Sequence, residues 1–153
     1  MNKNDEFFDQ KELIGKQLFE KFAANKPEIK PYVFSAPGSS EDIKMLSGST
    51  YIMGEIKVRQ DCSVDLSLKY GPFCEFLKWD PIRRKALKIE REKGIKVEIM
   101  YFNFLNDGVV VYHLKDIKNV TWSWELLPES NYNKTKIDKY VTKLQNPIEI
   151  IKY

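Results

Sequence analysis

The stretch DIKMLSGSTYIMGEIKVR, residues 42–59, alternates between polar and apolar side chains on either side of the small-residue break SGST, residues 47–50. This pattern predicts a β-hairpin whose loop is that break. The resulting register pairs Leu46 with Tyr51, Lys44 with Met53 and Asp42 with Glu55. Side chains alternate between the two faces of a strand, so Asp42, Glu55 and Lys57 share one face. Two opposed carboxylates repel unless a positive group lies between them, and the hairpin therefore predicts a divalent-cation site.

Length and composition limit what this site can belong to. The chain has 153 residues, of which 42% are hydrophobic and 13% aromatic. These values predict one globular domain over residues 1–153 with a core of its own. No apolar run reaches membrane-spanning length, and the start MNKNDEFFDQ lacks the plan of a signal peptide. We therefore expect a cytoplasmic protein with no membrane partner.

Cysteine and histidine are too few for several kinds of catalytic site. Cys62 and Cys74 have no paired spacing of the kind that binds zinc, and they are predicted to be reduced thiols. His113 is the single histidine and lies in the apolar run VVVYHL, so a structural role is expected for it. A metallo-hydrolase built on histidines is therefore nearly excluded.

The rest of the chain predicts helices and strands around the hairpin. Helix signals occur at residues 5–24, at 81–93 between an Asp-Pro start and Gly94, and at about 135–144. Strand signals occur at 32–35, at 96–105 and 109–114 around an Asn-Asp-Gly turn, and at 119–127, where Trp122 and Trp124 are expected to pack on the core rather than stack on bases. Residues 60–68 and 128–134 are expected to be loops, and 72–79 a short apolar helix or turn. This order predicts an α+β domain with a mixed sheet.

The predicted helix at 81–93 has an outer face rich in basic residues. Only Glu90 and Glu92 oppose its cations, which are Arg83, Arg84, Lys85, Lys88, Arg91 and Lys93. Local positive charge of this density is typical of a surface that follows a nucleic-acid backbone. A solvated helix face without a partner explains it equally well. The net charge of the whole chain, +3, permits nucleic-acid binding without requiring it.

Asp42 is followed, after a gap of twelve residues, by Glu55-Ile56-Lys57. This spacing resembles the motif of the PD-(D/E)xK nuclease superfamily, in which an aspartate precedes an acidic residue, any residue and a lysine. The predicted element order is similar to that superfamily's αβββαβ core over residues 5 to about 114, with 115–153 as a C-terminal extension. The strand YIMGEIKVR, the helix signals after it and the later strand-turn-strand look most like the small resolvase-like endonucleases of phages and bacteria. One departure is Glu41, which stands where the motif has a proline.

The resemblance implies hydrolysis of phosphodiester bonds in DNA, including branched DNA, in a bacterial cell or a phage-infected host. Mg²⁺ or Mn²⁺ would be bound by Asp42, Glu55 and the backbone carbonyl of Ile56, and would activate water for attack on the phosphate. Lys57 would orient the nucleophile and stabilise the developing charge.

Further residues receive roles from the same resemblance. Glu20 corresponds to the acidic residue of the family's opening helix, although Gln17 occupies another inward position. Arg59, Lys78 and the basic face of 81–93 would hold the phosphate backbone. A homodimer is compatible with the resemblance, because enzymes of this kind that cut both strands often act as dimers.

Two other classes of function fit the same residues. In the first, the site is inactive and the basic helix makes the protein a nucleic-acid-binding module. In the second, Asp42, Glu55 and Lys57 form a cross-strand salt bridge in a structural or interaction protein, where such a pair contributes little energy. Metal-dependent activity that is lost in Lys57→Ala distinguishes the nuclease from both.

Overall fold

A computed structural model describes residues 3–115, 117, 120–128 and 136–153 of the chain. Three α-helices lie in it, namely α1 (Lys3–Ala24), α2 (Val64–Tyr70) and α3 (Phe76–Lys93). The strands, in chain order, are β1 (Tyr32–Phe34), β2 (Ile43–Ser47), β3 (Thr50–Arg59), β4 (Phe73–Glu75), β5 (Val97–Leu105), β6 (Gly108–His113), β7 (Ser123–Pro128), β8 (Lys136–Lys143) and β9 (Glu149–Lys152). A short 3₁₀ helix, Pro27–Ile29, precedes β1. None of the helices in these ranges is long and apolar enough to span a membrane.

Six strands form one central sheet in the order β1-β2-β3-β5-β6-β9. Neighbouring strands are antiparallel except for β3 and β5, which run parallel. The sheet is therefore mixed, and the predicted α+β class is confirmed. The order α1, β1, β2, β3, α3, β5 is the order expected from the sequence, with α2 and β4 inserted before α3.

The two faces of the central sheet are covered by different helices. On one face α1 packs through Phe19 and Ala23 against a buried cluster that includes Ile43, Ile52 and Phe102. On the other face α2 and α3 pack against a second cluster, with the members Val64, Ile82, Ala86, Met53, Val97, Ile99 and Tyr101. Glu55 and Lys57 follow Met53 on β3 at two-residue steps, so their side chains lie on the α3 side of the sheet.

The second sheet contains three strands in the order β4-β8-β7. The predicted helix at 135–144 is wrong, because residues 136–143 form β8 and pair with both neighbouring strands. Its Tyr140, Val141 and Thr142 are aromatic or β-branched residues that favour a strand, and Val141 is fully buried there. Pairing on both sides thus outweighs the helical spacing that suggested the prediction.

Three predictions between the hairpin and the end of α3 also need correction. Residues 60–68 were expected to be a loop, but α2 begins at Val64, where the Ser63 hydroxyl accepts a hydrogen bond from the Leu66 N–H at 3.2 Å. Helix α3 begins at Phe76, so Pro81 lies inside it rather than at its first position. Part of the predicted short helix at 72–79 instead pairs with β8 as β4.

Several turn predictions agree with the structure. Gly94 ends α3 with a left-handed φ of 64°, as its position after the basic helix predicts. The second hairpin turns at Asn106 and Asp107, because Leu105 already pairs with Gly108. The first hairpin is tighter than predicted, since Ser47 pairs with Thr50 and leaves only two residues in the turn. Of the predicted loop at 128–134, Pro128 is the last residue of β7, and residues 129–134 lie outside the described residues.

Of the two tryptophans expected to pack on the core, Trp122 does so and Trp124 does not. Trp122 lies just before this strand and packs against the core cluster on the α3 side, as expected. Trp124 is exposed and stacks on Tyr140 of β8, with ring centroids 5.4 Å apart. His113 is exposed at the end of β6 and forms a contact with Glu98 on the neighbouring strand.

Candidate functional site

The first hairpin has the register that its sequence predicts. Lys44 pairs with Met53 and Leu46 with Tyr51, and the ladder ends at Ile43 opposite Gly54. The Asp42 N–H donates to the Gly54 carbonyl at 2.8 Å, although Gly54 already pairs with Ile43, so the ladder does not extend to the predicted pairing of Asp42 with Glu55. The Ile56 N–H donates to Asp42 Oδ2 at 2.7 Å. Two backbone contacts therefore hold the Asp42 carboxylate next to the β3 strand.

Asp42 and Glu55 are carboxyl groups close enough for the charge of one to affect the other. Glu55 is buried, with 7% of its surface exposed, whereas Asp42 is an exposed residue at the start of the hairpin. The surrounding protein atoms remove part of the water from Asp42, and this loss together with the charge of Glu55 raises the pKa of Asp42 to about 6. The hydrogen bond from the Ile56 N–H and the charge of Lys57 oppose this rise in the pKa. The pair therefore favours a shared proton or a bound cation.

Lys57 supplies the positive charge of this site. Its Nζ lies 3.0 Å from Glu55 Oε1, and about a third of its side chain remains exposed. Burial favours the neutral amine, but the negative charge of Glu55 outweighs burial and raises the pKa of Lys57 above its ordinary value. Lys57 is therefore an ammonium group at neutral pH. It can donate hydrogen bonds and stabilise negative charge, but it does not accept a proton.

Strand β5 lies beside β3 and borders the site. Its parallel register places Tyr101 opposite Glu55 and Asn103 opposite Lys57. Both residues are buried, and the Asn103 Nδ2 donates to the Ser67 hydroxyl at 3.0 Å. Sequence reasoning missed these two residues, because parallel pairing between β3 and β5 leaves no local signal. The amide of Asn103 within the apolar strand VEIMYFNFL is the one feature that could have indicated them.

Cys74 lies close enough to the site to be affected by its charges. Burial, followed by the negative charge of Glu55, raises the pKa of Cys74 to about 12. The residue is therefore a neutral thiol at physiological pH, as expected for a reduced cysteine. Its chemistry excludes it as a nucleophile, because the thiolate is the reactive form.

The donor set of the site suits a hard divalent cation. Among the residues that the structure describes, no group of three or more His, Cys, Asp and Glu side chains is placed to hold a metal ion. Asp42 and Glu55 are a pair, and Mg²⁺ is commonly bound through one or two carboxylates with the remaining positions filled by water. Glu20 is not brought to this pair, since it is exposed on α1, and α1 packs on the opposite face of the sheet.

The site is partly accessible, because Asp42 is exposed although Glu55 is buried. Two cavities of about 520 and 420 Å³ occur elsewhere in the described part of the chain. Tyr112 and Asn146 are among the residues that line the first, and Phe22 and Tyr153 among those that line the second. An exposed Asp42 beside a partly exposed Lys57 is accessible to a large ligand.

Glu41, the residue in the proline position of the motif, has a structural partner on α3. Its carboxylate is fully buried and lies 2.7 Å from Lys85 Nζ, with the Ser40 hydroxyl donating to its other oxygen at 2.7 Å. Burial opposes ionisation of Glu41, but the hydrogen bonds from Lys85 and Ser40 outweigh it and lower the pKa. Lys85, predicted to bind nucleic acid, is therefore held by Glu41.

The other predicted backbone-binding residues are more accessible. Lys78, Arg84, Lys88 and Arg91 are exposed on α3, and Arg59 is exposed at the end of β3 in the same row as Glu55 and Lys57. Arg84 forms an ion pair with Asp80 at 2.9 Å, and Lys88 forms a looser one with Glu92 at 3.9 Å. The Arg83 guanidinium lies 5.3 Å from the centre of the Trp79 ring. Ion pairs of this exposed kind are weak, so both cations can exchange partners.

Comparison with known proteins by family model, by sequence and by structure gave no match. Function is therefore argued from the geometry of the site.

Proposed function

We propose that the protein is a metal-dependent nuclease that hydrolyses phosphodiester bonds in DNA. The observation that carries this proposal is that Lys57 Nζ lies 3.0 Å from Glu55 Oε1 while the charge of Glu55 also acts on the neighbouring Asp42 carboxyl group. Neighbouring carboxylates repel each other in the absence of a cation, and ionisable groups with perturbed pKa values, such as Asp42, concentrate at functional sites.

Each residue of the site has a chemical role in this proposal. Asp42 and Glu55 bind Mg²⁺ or Mn²⁺, and the Ile56 N–H fixes the orientation of Asp42. A cation bound there would polarise the phosphate and make a bound water more acidic. The Lys57 ammonium orients the attacking water and stabilises the charge that develops on the phosphate oxygens. Because Lys57 keeps its proton, deprotonation of the water is not assigned to it.

Exposed basic residues on β3 and α3 would bind the phosphate backbone of the proposed DNA substrate. Arg59 extends the row of Glu55 and Lys57 along β3, so it can contact the phosphate next to the one that reacts. Lys78, Arg84, Lys88 and Arg91 on α3, which packs on the same sheet face, bind the backbone further away. Lys85 is left out of this set because Glu41 holds its ammonium group.

The ion pair between Lys57 and Glu55 also favours a second candidate. A buried carboxylate paired with a lysine is a sufficient explanation of both residues in a nucleic-acid-binding module without catalysis. In that case α3 binds nucleic acid, while Asp42 and Glu55 bind no cation.

Metal titration and cleavage, measured together, test the proposal. Mn²⁺ and Mg²⁺ would be titrated into the wild type and Glu55→Gln by calorimetry, and plasmid, single-stranded and four-way-junction DNA would be assayed for cleavage. Glu98→Gln is the matched control, because Glu98 is a partly buried strand glutamate paired with Lys96 away from the site. We expect Glu55→Gln alone to lose both metal binding and cleavage. Absence of metal binding by the wild type, with DNA present, would overturn the proposal, and salt-sensitive DNA binding without cleavage would favour the second candidate.

A further inference from the structure

Two buried polar atoms beside the site have no hydrogen-bond partner. Among the described buried side chains, the unpartnered atoms are Ser35 Oγ, Tyr101 OH and Asn103 Oδ1. Buried polar groups are nearly always hydrogen-bonded, because an unsatisfied one loses its interactions with water without compensation. Two of these three atoms belong to residues opposite Glu55 and Lys57. Their concentration at the proposed active site calls for a physical reason.

The unpartnered groups are placed to interact with the charged ones. Tyr101 and Asn103 lie two residues apart on β5 and share the sheet face of Glu55 and Lys57. Tyr101 is only 2% exposed, and Lys57 and Glu55 are both among the charges that act on its hydroxyl group. Asn103 is fully buried, and its Nδ2 is fixed by the bond to Ser67, which leaves Oδ1 for another donor.

The chemistry of the four groups is complementary across the two strands. A phenol hydroxyl is a donor that suits a carboxylate, and it belongs to Tyr101, opposite Glu55. An amide oxygen is an acceptor that suits an ammonium group, and it belongs to Asn103, opposite Lys57. In the observed arrangement Glu55 and Lys57 bind each other, so the two β5 groups have no partner. Exchange of partners across the strands would satisfy all four.

We propose that Tyr101 and Asn103 are positioning residues that separate Lys57 from Glu55: in the separated state the Tyr101 hydroxyl donates to the Glu55 carboxylate, and Asn103 Oδ1 accepts a hydrogen bond from the Lys57 ammonium. Once Lys57 is separated from Glu55, Asn103 holds the Lys57 ammonium group in place. The remaining N–H groups of Lys57 are then free to bind a phosphate. Separation also leaves Glu55 with a carboxylate that no ammonium neutralises. The catalytic value of this exchange rests on the proposed nuclease function, whereas the exchange itself is a property of the folded chain.

A double-mutant cycle on stability tests the Tyr101 contact without reference to activity. In the wild type, Tyr101→Phe removes a hydroxyl that has no partner, so the urea midpoint is expected to stay the same or rise. In a Lys57→Met background Glu55 turns to Tyr101, so the same change is expected to lower the midpoint. Tyr112→Phe is the matched control, because Tyr112 is also buried and is the register partner of Tyr101 on β6. An equal shift for Tyr101→Phe in both backgrounds would overturn the inference.

A second double-mutant cycle on stability tests the proposed contact between Asn103 and Lys57. It keeps Lys57 in place, so it does not depend on whether Lys57→Met folds. In Glu55→Gln the ammonium of Lys57 loses its carboxylate and turns to Asn103. Asn103→Leu is therefore expected to lower the midpoint more in Glu55→Gln than in the wild type. Ser67→Ala controls for the bond that Asn103 makes on its other side, and its effect should be the same in both backgrounds. Additive effects of Glu55→Gln and Asn103→Leu would contradict the Asn103 contact.

Kinetics then separate failure of this inference from failure of the proposed function. Loss of a group that positions a metal ligand typically lowers activity by about 10- to 100-fold, so Tyr101→Phe should lower kcat by this factor with little change in KM. Tyr112→Phe should leave both parameters unchanged. If the wild type cleaves DNA while Tyr101→Phe is fully active and both cycles are additive, the inference fails and the nuclease function stands. If the wild type cleaves nothing, the nuclease function fails, and the two cycles still decide whether the exchange occurs.

Discussion

Lys85 Nζ lies 2.7 Å from Glu41 Oε1, and this ion pair joins helix α3 to the residue that precedes Asp42. The Glu41 carboxylate is fully buried, whereas 39% of the Lys85 side chain is exposed. Lys44 approaches the same oxygen at 3.6 Å. The pair therefore fixes the position of the basic helix relative to the hairpin, and it removes one cation from the surface proposed to bind DNA.

The first prediction concerns the stability that this pair contributes. Lys85→Met leaves a buried carboxylate without its closest partner, so we expect a loss of about 2 kcal/mol in the free energy of unfolding measured in urea. Lys88→Met, on the exposed surface of the same helix, is expected to change it by less than about 0.5 kcal/mol. The contribution of Glu41 should be present above its ordinary carboxyl pKa of 4.5 and be lost as the pH falls through its lower folded-state pKa. Equal stability of the two variants at pH 7 would show that the pair is not structural.

The second prediction concerns DNA binding by the same helix. Neutralising a residue that contacts a phosphate reduces the slope of log K against log salt by about 1. We expect this reduction for Lys78→Met and Arg91→Met, which remove exposed cations, when binding to duplex DNA is measured over a salt series in Ca²⁺. Lys85→Met should leave the slope unchanged once its folded fraction is accounted for. If only Lys85→Met reduced the slope, Lys85 rather than Lys78 or Arg91 would be the residue that contacts phosphate.

The third prediction follows from the raised pKa of Asp42. The folded state binds this proton more readily than the unfolded state, because the pKa is about 6 in the fold and 3.8 ordinarily. The stabilisation is thus fully present below pH 3.8 and is lost as the pH rises through about 6. Asp42→Asn keeps an oxygen for the Ile56 N–H and removes the charge, so its melting temperature should exceed that of the wild type at pH 8.

This difference should shrink as the pH falls from 8 to 4, where wild-type Asp42 becomes protonated. Mn²⁺ at pH 8 should raise the melting temperature of the wild type but not that of Asp42→Asn. Asp61→Asn, in an exposed position after β3, controls for the change of net charge. A lower melting temperature for Asp42→Asn at pH 8 without metal would contradict the repulsion between the carboxyl groups.

The fourth prediction concerns Gly54, the residue before Glu55. A Cβ atom at this position would lie 2.6 Å from Ile43 Cγ2 and 3.0 Å from Phe102 Cε2, both in the core under α1. Gly54→Ala must therefore displace the Ile43 or Phe102 side chain within the core, and we expect it to destabilise the protein by about 1–3 kcal/mol. Since the Gly54 carbonyl accepts the Asp42 N–H, the variant should also bind Mn²⁺ more weakly in calorimetry. Unchanged stability and Mn²⁺ affinity would show that the site tolerates a shift of the strand.

Features that depend on neighbouring residues could be predicted from the sequence, whereas features that depend on residues distant in the chain could not. The two hairpins follow from alternation and turn residues, so the register of Lys44 opposite Met53 could be predicted from neighbouring residues. The helix at 135–144 was predicted from a spacing that also suits a strand, and residues 136–143 became β8 through pairing with distant β4 and β7. The role of Lys85 could not be predicted, because charge density on α3 does not indicate that Glu41 lies underneath.

The sequence by itself determined that Glu55 and Lys57 lie on one face of β3, since side chains alternate along a strand and the tight turn fixes the register of the hairpin. Only the tertiary structure decided which groups surround them. The parallel pairing of β3 and β5 places Tyr101 and Asn103 opposite Glu55 and Lys57, although 46 residues separate each pair in the chain. Local preferences cannot select such a pairing, because it is stabilised by the burial of both sheet faces under helices from different parts of the chain.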